Sequence, residues 1–179
     1  MSNYNVTFRY AEAFTEHAAD KGVYEKVIKD VELIYNTLEG SRELRNFLSS
    51  PVLKETKKKE ILAAIFGDKV SDVTLQFLNF VVDKGRTEML PEIMQRFLEI
   101  RDEKENITDV VLKSAISLDD ALADKVKLKM EDYTGKKVRF HNVVDESIIG
   151  GYTAQIKDTV VDASVKRQLE RLKKVLIED

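Results

Sequence analysis

"NVVDESIIGGYTAQIKDTVVDASVKRQLERL", residues 142–172, contains the change of pattern that decides the fold. Two short apolar runs flank a Gly-Gly pair, and a charged segment follows in which apolar residues recur at helical spacing: Val165, Leu169, Leu172 and then Leu176. The apolar runs predict short β-strands, and the last segment predicts an α-helix. Strands that lead into a helix indicate a small α+β unit at this end of the chain.

The Gly150-Gly151 pair has two alternative interpretations, a phosphate-binding loop or a tight bend of the backbone. A phosphate loop runs directly into a helix N-terminus, where free amides and the helix dipole hold the anion. Here "YTAQIKD" follows Gly151 and predicts a strand, and no Gly-Lys-Ser/Thr sequence follows. We therefore favour a structural role, in which Gly150 and Gly151 shape a hairpin or allow two backbone segments to approach closely.

The α+β pattern extends back to residue 106. "TDVVLKSAIS" and "KVRFHNVV" are rich in β-branched residues and predict strands, and Ser117–Asp120 predicts a capping box for a helix between them. Asp145 and Asp162 stand beside predicted turns, so local capping explains them better than a pair of catalytic carboxylates does. Residues 106–179 form the predicted α+β domain.

Residues 1–105 have the periodicity of helices, with apolar residues at intervals of three and four. Pro51 fits the end of one helix and Pro91 fits the first turn of another. Ser41 and Ser71 are candidate N-caps. Four glycines follow periodic segments, where a left-handed helix end favours glycine: Gly22, Gly40, Gly67 and Gly85. The predicted fold class is mainly α, with an N-terminal six-helix bundle followed by a small α+β domain and a boundary within residues 101–109.

Composition excludes several kinds of site. The chain has 179 residues and no cysteine, which excludes disulfides, thiolate metal sites and a cysteine nucleophile. His17 and His141 lie far apart, and no motif joins a nucleophile, a base and an orienting group. The net charge is −3, so the chain as a whole does not attract nucleic acid or an anionic membrane. No apolar run approaches the roughly 18 residues of a membrane span, and the first residues do not resemble a signal peptide. We expect no catalytic residue, no cofactor and no metal.

"DVTLQFLNFVVDKGR", residues 72–86, predicts a helix that is apolar on nearly all sides. Such a helix has two interpretations, which the sequence leaves open. It lies at the centre of the bundle, or it forms part of a groove that accepts an amphipathic helix from a partner protein.

Four segments carry a family resemblance: "RYAEAF" at 9–14, "FLSSP" at 47–51, "FLNFVVDKGRTEMLPEIMQRF" at 77–97 and "VVDESIIGGYTAQIKDTVVDASVKRQL" at 143–169. In this order and spacing they resemble the delta subunits of bacterial rotary (F-type) ATP synthases, the family that includes the mitochondrial oligomycin-sensitivity-conferring protein. The chain departs from the family's pattern near Ala154, Lys157 and Ala163, close to predicted turns, where the departures affect local hairpin geometry.

The resemblance implies a non-catalytic subunit of the peripheral stalk, or stator, which links the catalytic head to the membrane-anchored b subunits and resists the torque of the rotor. It implies that the first and fifth helices bind the amphipathic N-terminal helix of an alpha subunit. The residues that it assigns to this contact are Tyr10, Ala11, Phe14, Phe77, Leu78, Val81 and Val82. It further implies that the α+β domain binds the C-terminal ends of the b subunits. The chain would then lie at the cytoplasmic face of the cell membrane, which it meets only through the complex.

Two other classes of protein remain open from the residues alone. Small α+β units bind RNA in several families, but residues 107–179 hold 13 basic and 13 acidic residues, and their predicted strands offer only Phe140 and Tyr152 for stacking on bases. A small enzyme with its site at the glycine hairpin is the other class, and it lacks a catalytic constellation.

Overall fold

The computed structural model describes residues 3–116, 120–145, 147–156 and 159–177. The chain divides into two compact units, Met1–Arg101 and Asp102–Asp179. The first is helical and the second combines helices with a sheet. None of the helices in the described ranges is both long enough and apolar enough to cross a lipid bilayer.

The first unit contains helices that share one hydrophobic core. They are α1 Asn3–Asp20, α2 Tyr24–Gly40, α3 Arg42–Ser49, α4 Glu55–Phe66, α5 Asp72–Asp83 and α6 Leu90–Lys104, with a short 3-10 turn at Thr87–Met89. Each helix turns an apolar stripe inward, and the largest side chains in the core are those of Phe14, Phe66 and Phe97. The core accounts for the helical periodicity of the sequence.

The helix ends agree with the capping predicted from the sequence at some positions and differ from it at others. Ser41 accepts a hydrogen bond from the Leu44 amide at 3.2 Å and caps α3, as predicted. Gly22 and Gly85 have φ angles of +67° and +63°, the left-handed conformation that the sequence predicts.

The same expectation is wrong for Gly40 and Gly67. Gly40 is the last residue of α2, and the chain passes straight into extended Ser41, which already belongs to the next helix cap. Gly67 keeps a right-handed φ of −51°, because the turn after α4 continues with hydrogen bonds from the Lys69 and Val70 amides to the Phe66 carbonyl. Neither helix end needs a left-handed residue.

The N-terminus of α5 is held by another helix. Ser71 stands at the N-cap position, but its side chain makes no capping hydrogen bond to α5, contrary to the sequence expectation. Asp30 of α2 instead accepts three hydrogen bonds at Oδ2, from the Ser71 amide at 2.8 Å, the Ser71 hydroxyl at 2.6 Å and the Thr74 hydroxyl at 2.8 Å. Asp30 is only 5% exposed, and a buried carboxylate needs such donors. Asp30 therefore fixes the start of α5 against α2.

The second unit is built on a four-stranded sheet in the order β2-β1-β3-β4. The strands are β1 Ile107–Ser114, β2 Lys137–Val144, β3 Tyr152–Ile156 and β4 Thr159–Asp162. β1 and β2 are parallel, so a crossover must join them, and α7 Asp120–Thr134 provides it. The α7 side chains Val126 and Met130 belong to one buried cluster with Val110, Leu112 and Ala154 of the sheet.

Helix α8, Val165–Ile177, follows β4 and completes the second unit. The mainly helical N-terminal part and the small α+β unit after it agree with the predicted fold class. The capping box predicted at Ser117–Asp120 falls mostly outside the described residues.

Candidate functional site

An apolar groove of about 340 Å³ lies on the first unit between α1 and α5. Its lining residues are Ala13, Phe14, His17, Val73, Gln76, Phe77 and Phe80. The two helices run antiparallel here, because Tyr10 contacts Phe80 at one end and Phe14 contacts Phe77 further along.

Stacked aromatic rings form the floor of the groove. The Phe14 and Phe77 rings are parallel within 5°, with centroids 3.9 Å apart, and Phe97 of α6 supports Phe14 from below at 5.2 Å. Aromatic pairs of this kind contribute roughly 0.5–1.5 kcal/mol beyond the area they bury. The floor is therefore well fixed before anything binds to it.

Cations cover the rings at one end of the groove. The Arg86 guanidinium lies 5.6 Å from the Tyr10 ring centroid, and the Lys84 ammonium lies 5.5 Å from that of Phe80. Cation–π contacts at exposed sites contribute about 0.5–1 kcal/mol. This end of the groove thus combines an apolar surface with positive charge.

The seven residues that the resemblance assigned to partner binding fall into two groups in the structure, one at the groove and one in the core. Phe14 and Phe77 line the groove, and Tyr10 contacts Phe80 at its edge. The other four lie in the core and are 0% exposed: Ala11, Leu78, Val81 and Val82. In α5 the two sets occupy neighbouring arcs, since each residue turns the helix by about 100°.

Five lining residues were not assigned to this contact by the sequence: Ala13, His17, Val73, Gln76 and Phe80. Val73 and Phe80 lie four residues before and three residues after Phe77, so helical spacing alone places them on its face. Phe80 is 47% exposed and is the most accessible large apolar side chain of the groove.

The glycine pair lies at the entry to β3, beside the open end of the β3–β4 hairpin. Gly151 has a φ of +76°, and a Cβ there would come within 2.5 Å of the Ala163 carbonyl oxygen. Only glycine fits this close approach without strain. This geometry is that of a tight backbone bend, the structural role favoured for Gly150 and Gly151 from the sequence.

The hydrogen bonds around the pair leave little room for a phosphate. The Val165 amide, the first of α8, donates to the Gly150 carbonyl at 2.9 Å, and the Arg167 amide donates to the Ser164 hydroxyl at 3.3 Å. These are the helix N-terminal amides that a bound anion would need. The glycine loop thus presents a carbonyl to α8.

Asp145 and Asp162 act as local turn residues. The Ser147 hydroxyl donates to Asp145 at 2.6 Å and the Ser147 amide donates at 3.0 Å, which holds the pKa of the Asp145 carboxyl below its ordinary value. Hydrogen bonds from Ser164 likewise lower the pKa of Asp162. A general acid needs a raised pKa, so neither carboxyl suits that role. In the part of the chain that the structure describes, no three His, Cys, Asp or Glu side chains come together as metal ligands.

The second candidate surface is an apolar stripe on α8, formed by Val165, Leu169 and Leu172 and called the α8 stripe below. These side chains are 39%, 59% and 59% exposed. Leu176, which the sequence places next in the stripe, lies beyond the side chains that the structure describes. The aromatic side chains of Phe140 and Tyr152, by contrast, are partly buried and pack against the cluster that Val126 and Met130 of α7 form with the sheet.

Comparison with known proteins gives consistent matches. A family model described as "ATP synthase delta (OSCP) subunit" matches residues 6–176. A protein named ATP synthase subunit delta from Chloroherpeton thalassium is 41% identical over 165 residues, which is 92% of this chain and 90% of that protein. One of the same name from Salinibacter ruber is 37% identical over 172 residues, covering 96% and 90%.

A solved structure has the same fold. It is a chain of the mitochondrial ATP synthase hexamer of Toxoplasma gondii, with a TM-score of 0.68 and 24% sequence identity. The match covers 96% of this chain and 97% of that chain.

Proposed function

This chain belongs to the ATP synthase delta (OSCP) subunit family, and on that premise we propose that it is a non-catalytic stator subunit of a proton-translocating ATP synthase. It links the catalytic head to the membrane-anchored b subunits and resists the torque of the rotor. The observation that carries this proposal is the family match, which extends over residues 6–176.

The proposed binding site for the alpha subunit's N-terminal helix is the groove between α1 and α5. The groove is apolar, its floor of stacked rings is fixed, and Phe80 is accessible at its rim. An amphipathic helix docks in such a groove through side chains at i, i+3, i+4 and i+7. Ala11, Leu78, Val81 and Val82 support the groove from within the core and do not touch the partner.

The second unit is the proposed binding site for the C-terminal ends of the b subunits, and within this unit the α8 stripe is the proposed contact surface. Three exposed apolar side chains on one helix face are an unusual surface for a chain that acts alone. The chain would then sit at the cytoplasmic face of the cell membrane as a peripheral protein that touches the membrane only through its partners. No specific observation favours the nucleic-acid-binding alternative, since Phe140 and Tyr152 are partly buried against the core of the second unit.

A pull-down from membranes tests the stator role. The tagged full-length chain should recover both the alpha and the b subunits of the ATP synthase. Recovery of neither subunit would contradict the proposal.

Titration with a synthetic peptide of the alpha N-terminal helix tests the groove. Phe80→Asp should weaken peptide binding at least tenfold and lower the melting temperature by only a few degrees, because Phe80 is 47% exposed and loses only its contacts with Tyr10 and Lys84. Leu33→Asp is the matched control, since Leu33 is an apolar side chain on α2 that is 38% exposed and lies outside the groove. Equal effects of the two substitutions would mean that the peptide binds elsewhere.

A further inference from the structure

Helix α8 carries a strong positive charge in addition to its apolar stripe. Between Val165 and Lys174 it has one acidic residue, Glu170, and five basic ones: Lys166, Arg167, Arg171, Lys173 and Lys174. All ten side chains are exposed. Along these ten residues the helix packs little of its surface against its own unit, so both its apolar and its charged faces are accessible to a partner there.

The spacing of the α8 stripe is that of a coiled-coil seam. Val165, Leu169 and Leu172 follow one another at intervals of four and three residues, which are successive d, a and d positions of a heptad. A helix that lies on a membrane surface needs a broad apolar face, and this seam is narrow. The spacing therefore favours a helix as the occupant.

Two lysines flank the seam at equivalent positions. Lys166 and Lys173 are seven residues apart, each directly after a d residue, which places them at successive e positions. Residues at e positions meet charged residues on the partner helix and determine which partner is accepted. A second copy of α8 would bring Gln168 or another lysine opposite them and offer no counter-charge.

We propose that the α8 stripe binds an acidic amphipathic helix as a short coiled coil, with Asp or Glu side chains of the partner paired to Lys166 and Lys173. The inference rests on the proposed function, because the occupant is the C-terminal helix of a b subunit. It adds the chemistry of that helix, which carries an apolar heptad seam flanked by carboxylates.

The test uses the full-length chain and the recombinant extramembrane part of the b subunit. The double variant Lys166→Glu, Lys173→Glu should bind about tenfold more weakly, since two attractive pairs become repulsive. Binding of the unmodified chain should weaken as salt rises. The matched control is Lys127→Glu, Lys129→Glu on α7, which changes two exposed lysines and the net charge by the same amount and should leave affinity unchanged.

Designed peptides supply a direct test of the charge code. Two peptides share the same apolar heptad seam, and one carries Glu at its flanking positions while the other carries Lys. The unmodified chain should prefer the Glu peptide, and the Lys166→Glu, Lys173→Glu variant should prefer the Lys peptide. An unchanged preference overturns the inference.

The remaining outcomes separate the two proposals. If the b fragment binds the unmodified chain and the double variant equally well, the inference fails and the stalk attachment stands. If the b fragment does not bind at all, both fail. Binding of the unmodified chain to phosphatidylglycerol vesicles, lost in the double variant and without binding of the Glu peptide, overturns the inference in favour of a lipid surface.

Discussion

The hydrogen bonds of Asp30 offer a quantitative test of how the groove is held in shape. Asp30→Ala removes the acceptor of the Ser71 amide, the Ser71 hydroxyl and the Thr74 hydroxyl. A buried amide left without a partner costs about 1–3 kcal/mol. The two hydroxyls lie 3.0 Å apart and can bond each other, which limits their share of the loss.

The carboxylate also lies at the N-terminus of α5, where a negative charge contributes about 0.3–1 kcal/mol. Together these terms predict that Asp30→Ala lowers the free energy of unfolding by about 2–4 kcal/mol. For a unit of this size the melting temperature should fall by roughly 10–20 °C. Asp30→Asn keeps an acceptor oxygen but loses the charge, which weakens its hydrogen bonds as well as the interaction with the α5 N-terminus, so we expect a loss of about 1–2 kcal/mol.

The effect should reach the groove, because the first turns of α5 carry Val73 and Gln76. We expect Asp30→Ala to speed hydrogen exchange of the amides of residues 72–75 and to weaken binding of the alpha N-terminal peptide. Asp30→Asn should restore most of the binding. Denaturation, hydrogen exchange and peptide titration of the full-length chain measure these three effects.

Lys58→Ala is the matched control for this experiment. Lys58 is also a buried charged residue, 8% exposed, and its Nζ donates to the Leu48 carbonyl at the end of α3 at 2.7 Å. It does not line the groove. Its loss should lower stability and leave peptide binding unchanged. An Asp30→Ala variant that binds the peptide normally, or a Lys58→Ala variant that binds it just as poorly, would refute the positioning role of Asp30.

Three further predictions concern the core, the glycine bend and the division of the chain. Val81→Asp should unfold the first unit, because Val81 is 0% exposed and a buried unpaired charge is strongly destabilising; a normal melting curve would place Val81 at the surface. Gly151→Val should lower the stability of the second unit by at least about 1–3 kcal/mol, whereas Gly22→Val, also at positive φ but with no atom within 4 Å, should cost less; equal losses would show that the contact with Ala163 does not matter. A fragment of residues 1–105 should fold alone with a cooperative thermal transition followed by circular dichroism, because it holds a complete core; a gradual transition would argue against two independent domains.

The sequence predicted the helices and strands well, but it predicted poorly which residues of different elements contact one another. Periodicity predicted helices over residues 1–105 and strands after residue 106, since those patterns are local along the chain. For α5 it showed a helix that is apolar nearly all round, but it could not show which arc faces the core. Leu78 and Val81 lie in the core while Phe77 and Phe80 face the groove, and only the packing of the other helices of the unit against α5 decides this division.

The cap of α5 was beyond the reach of local patterns. Ser71 has the expected residue type in the expected place, yet its hydroxyl donates to Asp30, 41 residues earlier in the chain. Nothing near Asp30 in sequence distinguishes it from an ordinary exposed aspartate of an amphipathic helix. The prediction of a left-handed conformation at Gly40 was wrong for a related reason, because the N-cap of the next helix, Ser41, follows immediately.

The order of strands in the second unit affects how the chain folds as it leaves the ribosome. β1 is made first, yet it lies between β2 and β3, and its partners are residues 137–144 and 152–156. Until those residues emerge, both edges of β1 are unpaired, and unpaired strand edges invite association with other nascent chains. The helical unit can close on its own core during this interval. Synthesis therefore passes through a stage in which a finished helical unit is followed by an unprotected apolar strand, the stage at which a chaperone would be needed most.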